Sequence, residues 1–410
     1  MEKLLITNIG TLATPQGSAA KRGKAQGKIQ ILKNAWVSVQ DGVISKVGTG
    51  IPDASTRQNA KILDAGGELV TPGLVDAHTH LIFGGWRQNE LGRKLHGATY
   101  LEILASGGGI LSTVKSTREA TEEELTEKAS SALDEMLRFG TTTCEAKSGY
   151  GLALDEELKQ LRVIRELNRR HTVDLVPTFL GAHALPTEYK NNREGYLRIL
   201  CEEMIPAVAE QGLAKYCDVF CETGVFTAEE SRRVLEQGKK YGLLPKIHAD
   251  EIDPIGGSQL AGEIGAVSAE HLIVCPPEGI ASMAKGGTVA CLLPATSFYL
   301  GSAFAPARDM ISAGVPVAMA SDFNPGSCPC LNLQLVINLG CLKYRLTPEE
   351  VLTAVTLNGA AAIGLADQIG TVEPGKAGDL VIWGAPDLEY LCYRMGSNLA
   401  RTVIKRGKAV

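Results

Sequence analysis

The chain has 410 residues, with 41 lysines and arginines against 46 aspartates and glutamates, a formal charge of −5. At 44% hydrophobic and 21% charged residues, mean hydropathy +0.02 and a pI of about 5.9, it has the composition of a folded globular protein and lacks the basic balance of a nucleic-acid surface. A single hydrophobic core stops growing near ~250–300 residues, so one large unit and a smaller one are expected.

Met1–Ile6 shows neither a long apolar stretch nor a small-residue cleavage site, and no window approaches the ~18 apolar residues of a spanning helix. Neither export nor membrane insertion is expected. Residues 1–66 read as short strands, Lys3–Asn8, Gln30–Val39, Val43–Val47 and Lys61–Asp64, with Asp41-Gly42 as a hairpin turn. The basic cluster Lys21, Arg22, Lys24 and Lys28 lies among glycines and reads as a solvated loop.

The middle of the chain alternates β-rich and helical runs. The β-rich runs are Leu69–His78, Thr141–Lys147, Asp174–His183, Tyr216–Glu222, Leu244–Glu251, Ala266–Val274, Thr288–Pro294 and Pro316–Asp322. Most are apolar nearly throughout, as strands covered on both faces should be. Thr121-x-x-Glu124 and Thr227-x-x-Glu230 are capping boxes, and Asp155–Arg170 has helical periodicity. Eight strands alternating with helices make an α/β fold of the (β/α)8 TIM-type barrel class. A doubly wound open sheet is the runner-up, but no Gly-rich nucleotide turn follows the first strand. Gly107-Gly108-Gly109 also lacks the Lys-Ser/Thr of a phosphate loop.

The last stretch is strand-like again, with Leu380–Trp383 after Gly375–Asp379, then Thr402–Lys405. Residues 1–66 and 367–410 are therefore expected to form one small β-sandwich domain from both chain ends, with the barrel over 67–366 between them. The ten cysteines are scattered and read as free thiols of a reducing cytosol, so a cytoplasmic protein is expected. Cys328-Pro329-Cys330 lacks zinc-knuckle spacing and a second pair.

Side chains at the C-terminal ends of barrel strands face the active site. Five of the seven histidines fall at such ends: His78, His80, His183, His248 and His271. His96 and His171 do not. His78 and His80 are two apart on an extended segment, so both imidazoles point to one side. Alone, this pair does not establish a metal site. With His248 on strand five and Asp322 on strand eight it becomes three nitrogens and a carboxylate on one rim, a set suited to Zn²⁺ or iron with a position left for water.

Val75–His80 preceded by Pro72-Gly73, the late Ser321-Asp322 and the terminal Pro374–Leu380 resemble the amidohydrolase superfamily of metallo-dependent hydrolases over essentially the whole chain. Within it, Gly84–Arg87, Glu145–Gly151, Phe179–Ala184, His248–Glu251 and Ser321–Ser327 resemble the imidazolonepropionase family of histidine degradation. Binuclear members carry a carboxylated lysine at the end of strand four. Here that end is Phe220-Cys221-Glu222, so one Zn²⁺ or Fe²⁺/Fe³⁺ per chain is implied, with Glu222 the alternative ligand for a second metal. Lys147, on strand two, reads as a structural or substrate-shell group.

The resemblance implies a metal-dependent hydrolase that opens the cyclic amide of 4-imidazolone-5-propionate to N-formimidoyl-L-glutamate. The substrate is small and anionic, and a homodimer is implied. Glu251 and His271 are candidates for activating the attacking water, and Asp322 for moving the proton. Their division of labour stays open at this level. A guanidinium at Arg87 could grip the propionate carboxylate bidentately. Tyr150 and His183 would hydrogen-bond the substrate, Glu251 would touch it as well, and Asn324, Gly326 and Ser327 would line the loop after strand eight. Tyr100 is either a substrate contact or core. The rival readings are a purine- or pyrimidine-type ring deaminase and a non-catalytic amidohydrolase-like scaffold.

Overall fold

A computed structural model describes residues 2–97 and 108–410 of the chain. Tyr100 and Gly107 lie outside the described residues.

The chain opens with β1 (Lys3–Thr14), β2 (Gln30–Gln40), β3 (Val43–Thr49), β4 (Lys61–Asp64) and β5 (Leu69–Pro72). The parallel strands follow: β6 (Leu74–Asp76), β7 (Thr141–Lys147), β8 (Asp174–Ala182), β9 (Tyr216–Cys221), β10 (Leu244–Ala249), β11 (Ser268–His271), β12 (Val289–Leu292) and β13 (Val317–Met319). The chain ends with β14 (Leu380–Trp383), β15 (Ala400–Lys405) and β16 (Lys408–Ala409). Strands β6 to β13 pair in sequence order as one parallel sheet. Helices cover its outer face, as in a TIM-type barrel. The ring closes just past the strand ends. There Thr79 bridges Phe323, the His80 amide donates to Phe323 O at 2.9 Å, and the Asp322 amide donates to His78 O at 3.0 Å. Closure therefore sets the two-histidine segment directly against Asp322.

The helix starts obey their local signals. Thr121 Oγ1 accepts from the Glu124 amide while Glu124 returns a bond to the Thr121 amide, opening the helix Glu122–Arg138. The same reciprocal box at Thr227 and Glu230 opens Ala228–Lys240. Each such cap contributes about 1 kcal/mol.

The remaining strands form one mixed sheet in the order β16-β15-β14-β5-β1-β2-β3, with β4 also paired to β1. It joins the chain ends, since β14 pairs with β5 through Val381 and Thr71. Trp383 Nε1 donates to Thr71 Oγ1 at 2.9 Å. Asp41 and Gly42 both take positive φ, 50° and 83°, the requirement of a tight two-residue hairpin turn. Strand β1 runs past the expected end at Asn8. That residue, at φ 53°, makes a bulge rather than a stop, and pairing with β2 resumes at Ile9.

One strand expectation is corrected. Leu69–His78 is not a single strand: Leu69–Pro72 joins the mixed sheet and only Leu74–Asp76 enters the barrel. The change of sheet occurs at Gly73, where a Cβ would lie 2.3 Å from Thr142 Oγ1. The barrel strands are also less apolar than read. Every residue of β7 is buried, yet Glu145 and Lys147 alternate with Cys144 and Ala146. The first two face the barrel interior and pair with charges from other strands, while the second two pack in the main apolar core. No helix among the described residues is long and apolar enough to cross a membrane.

Candidate metal centre

The five rim histidines come together. Ring centroids lie 4.7 Å apart for His78 and His248, 4.9 Å for His80 and His183, 5.2 Å for His78 and His80, and 5.4 Å for His248 and His271. His96 and His171 lie elsewhere. His96 sits on a short helix end with Nδ1 toward Gly92 O, and His171 faces Asp134.

Four donor atoms converge at the centre. His78 Nε2 is 3.4 Å and His80 Nε2 3.5 Å from Asp322 Oδ1, and His80 Nε2 is 3.4 Å from His248 Nε2. A tetrahedral ion with bonds of about 2.0–2.1 Å has ligand–ligand edges of about 3.3–3.4 Å. These three separations match such edges; His78, His80 and Asp322 form one group of mutually close ligand atoms, and His78 forms a second with His248 and His271. Hydrogen bonding agrees. Both ring nitrogens of His78, Nδ1 of His80 and Oδ1 of Asp322 are buried without a hydrogen-bond partner. Asp322 Oδ2, in contrast, accepts from Thr296 Oγ1 at 2.7 Å, which leaves Oδ1 directed at the centre. Buried polar atoms without partners are costly. Of these, His78 Nε2 and Asp322 Oδ1 belong to the converging set and face each other at 3.4 Å, an arrangement that fits a cation, and His78, His80, His248 and Asp322 are the residues that could hold it.

The electrostatics favour the same conclusion. Burial, reinforced by neighbouring cationic groups, holds the His78 and His80 pKa values well below the usual range, so both rings stay in the neutral, ligating form. Burial opposes protonation of His248 too, but the Asp218 carboxylate outweighs it and raises its pKa. His248 Nδ1 donates to Asp218 Oδ1 at 3.1 Å, so in the neutral ring the Nε2 lone pair faces the centre.

Beneath lies a buried ion-pair ladder that sequence reading missed. Lys147 Nζ contacts Asp218 Oδ2 at 2.7 Å and Glu145 Oε2 at 2.9 Å. Lys246 Nζ contacts Glu145 Oε1 at 2.6 Å and Glu270 Oε1 at 3.4 Å. Burial lowers the pKa of Lys147, but Asp218 and Glu145 outweigh it and hold the group as an ammonium. Its place under the centre is structural. The available signal was period-two polarity inside a buried strand, Glu145-x-Lys147 and Lys246-x-His248.

Three further side chains fix the rim loops. Glu157 accepts from the amides of Gly149, Gly151 and Leu152 at 3.0, 2.8 and 2.7 Å, holding the loop that carries Tyr150. Asn324 Oδ1 accepts from the amides of Gly326 and Ser327, both at 2.8 Å, so its side chain is turned into its own loop. Glu222 directs both carboxylate oxygens at backbone amides and not at the histidines. It does not supply a second-metal ligand in this arrangement. Cys328 is buried with Sγ toward Ser321 O, and does not pair with Cys330.

The other expected residues sit on the same rim. His183 stacks on His80 at an interplanar angle of 11°, and its Nδ1 donates to Gly149 O at 3.0 Å, leaving Nε2 as an acceptor. Tyr150 lies with ring centroids 5.3 Å from His183. The Arg87 guanidinium occupies the space beside Gly326, where a Cβ would fall 1.0 Å from Nη2. Its Nε is buried and without a partner. Glu251 Oε2 is 3.7 Å from His271 Nε2. Burial raises the Glu251 carboxyl to about 7 and lowers His271 to about 4. His271 and Asp322 both take left-handed backbone conformations, φ 67° and 57°, a strain typical of functional rims.

The chain matches the amidohydrolase family over residues 69–410. It belongs to that family. It is similar to imidazolonepropionase of Alkaliphilus metalliredigens, 51% identical over 100% of this chain and 98% of that protein. It is likewise similar to imidazolonepropionase of Brevibacillus brevis, 50% identical over 99% of this chain and 97% of that one. Among solved structures, a triazine hydrolase from Arthrobacter aurescens superposes at TM-score 0.76, with 18% identity over 100% of this chain and 94% of that one. A zinc-bound adenosine deaminase from Xanthomonas campestris superposes at 0.72, with 21% identity over 99% and 92%. At such identities these two share the amidohydrolase fold.

Proposed function

We propose that this amidohydrolase is an imidazolonepropionase, hydrolysing the ring C–N bond of 4-imidazolone-5-propionate to N-formimidoyl-L-glutamate in histidine degradation. The observation that carries the reading is the pairing, on one rim, of a convergent three-histidine, one-aspartate donor set with a guanidinium that has an unpartnered buried N–H. A ring amide and a carboxylate are the two groups this pair would engage. The relatives of about 50% identity over the full chain carry the same activity in their names.

His78, His80, His248 and Asp322 would hold one Zn²⁺ or iron ion per chain. When bound, such an ion supplies Lewis acidity, polarising the carbonyl and making water a stronger acid. Arg87 would pair with the propionate carboxylate, with Tyr150 and the His183 Nε2 completing the grip. Asn324, through its bonds to Gly326 and Ser327, keeps the loop low enough for Arg87 to lie across it.

Glu251 would accept the proton of the attacking water as oxygen adds to the ring carbonyl carbon. A carboxyl raised to about 7 is matched to that task near neutral pH. His271, neutral and in contact with Glu251, would orient the water. The C–N bond then breaks, the carbonyl carbon becomes the new carboxylate of the product, and the departing ring nitrogen takes the proton by way of Asp322. A cytoplasmic homodimer belongs to the same reading, and all ten cysteines being free supports a reducing compartment.

The test is the loss of imidazolone absorbance on adding metal-loaded protein, beside ammonia release from a panel of aminopurines and aminopyrimidines. Ring opening without ammonia release is expected. Deamination without ring opening would replace this reading by a ring deaminase.

A further inference from the structure

The turn after β10 carries Glu251, and its tip is open to solvent. Ile252 points into solvent with 65% of its surface exposed. Asp250 takes a left-handed backbone conformation at φ 52°. The amides of Ile252 and Asp253 both end on one side chain, Glu222, which lies one residue past β9. Glu222 Oε2 accepts from the Ile252 amide at 2.9 Å, and Oε1 accepts from Asp253 at 3.1 Å and Thr223 at 2.8 Å. Glu222 is 1% exposed. A carboxylate is unfavourable at such depth unless hydrogen bonds replace its water, and three amides do so here. An apolar residue would fill the space as well. A carboxylate with both oxygens engaged fixes where the turn lies.

We propose, resting on the assignment of Glu251 as proton acceptor, that Glu222 is a positioning residue for the ring hydrolysis. By gripping two amides of the β10 turn it aims Glu251 at His271 and the centre. It touches neither the substrate nor the donor set. The β9 strand end thereby contributes to catalysis through the neighbouring loop.

Glu222→Gln, Glu251→Gln and the double variant are compared as metal-loaded proteins on 4-imidazolone-5-propionate. The glutamine turns one acceptor oxygen into a donor that opposes an amide. The kcat of Glu222→Gln should fall about 10- to 100-fold, the scale for displacing a catalytic group by about 1 Å, while KM moves far less. Metal content should equal that of the parent, and amide exchange over residues 250–255 should rise. In the Glu251→Gln background the Glu222 effect should vanish, because the two act as one unit. An equal loss in both backgrounds overturns the proposal, as does unchanged kcat or loss of metal in Glu222→Gln. Parent-like turnover of Glu251→Gln alone overturns the assignment of Glu251 itself, and is read independently of Glu222. If Glu222→Gln does not fold, Glu222→Asp, which keeps the charge and loses one methylene of reach, is judged by the same outcomes.

Discussion

Substituting Gly326 by alanine isolates what the Arg87 guanidinium contributes. An ideal Cβ at position 326 would lie 1.0 Å from Arg87 Nη2, 1.9 Å from Cζ and 2.5 Å from Nε. No methyl can share that space, so the guanidinium must leave the loop. The backbone at 326 is not among the positive-φ glycines, so alanine is tolerated there as a residue. The obstacle is the far end of a flexible side chain, and the fold should survive. If Arg87 binds the propionate, Gly326→Ala removes one charge-assisted pair, about 1.5–3 kcal/mol. At 1.4 kcal/mol per decade that is about a 10- to 150-fold loss in kcat/KM, carried mainly by KM. Steady-state kinetics on 4-imidazolone-5-propionate read it directly, beside Arg87→Ala and the double variant. The double should be no worse than Arg87→Ala alone. An unchanged KM in Gly326→Ala, with Tm equal to the parent, would refute the role given to Arg87.

Removal of metal by a chelator should abolish activity and Zn²⁺ or iron should restore it, with elemental analysis giving about one ion per chain; a fully active metal-free protein would sink the centre, and His78→Ala should neither bind metal nor turn over. Asp218→Asn keeps the shape of the group that orients His248 but not its charge, so metal affinity measured by chelator competition should weaken about 10- to 100-fold; equal affinity would mean that the buried ladder does not tune the site. With Glu251 raised to about 7, the accepting form is the ionised one, so kcat/KM should fall about tenfold per unit as pH drops below that value. The stability sign is opposite: the folded value lies above the ordinary ~4.3, so the folded state binds the proton more tightly and loses stability as pH rises from about 4.3 to 7. Glu251→Gln should remove the acidic limb together with the rate, and a profile unchanged in that variant would exclude Glu251 as its source.

Periodicity and local chemistry made much of this protein legible. Strand and helix alternation pointed to the barrel because each element buries its own face in a pattern of two or near four residues. The Asp41-Gly42 turn and the Thr121 and Thr227 caps are decided within four residues, so they were readable. So was the same-side pair His78 and His80. The split of Leu69–His78 between two sheets was not, because both halves are buried and apolar alike, and only the close approach of Thr142 at Gly73 marks the change.

The sequence by itself determined which residue types reach the rim and that both chain ends are strand-forming. Only the tertiary structure decided which of them meet. Ring closure at Thr79 and Phe323 brings His78 and His80 to within hydrogen-bonding range of Asp322, across more than half the chain. The seating of Arg87 on Gly326 and the grip of Glu222 on the 252–253 turn join residues from different strand ends. Such contacts leave no local period, because their distances are set by barrel closure and by what each buried charge must find as a partner.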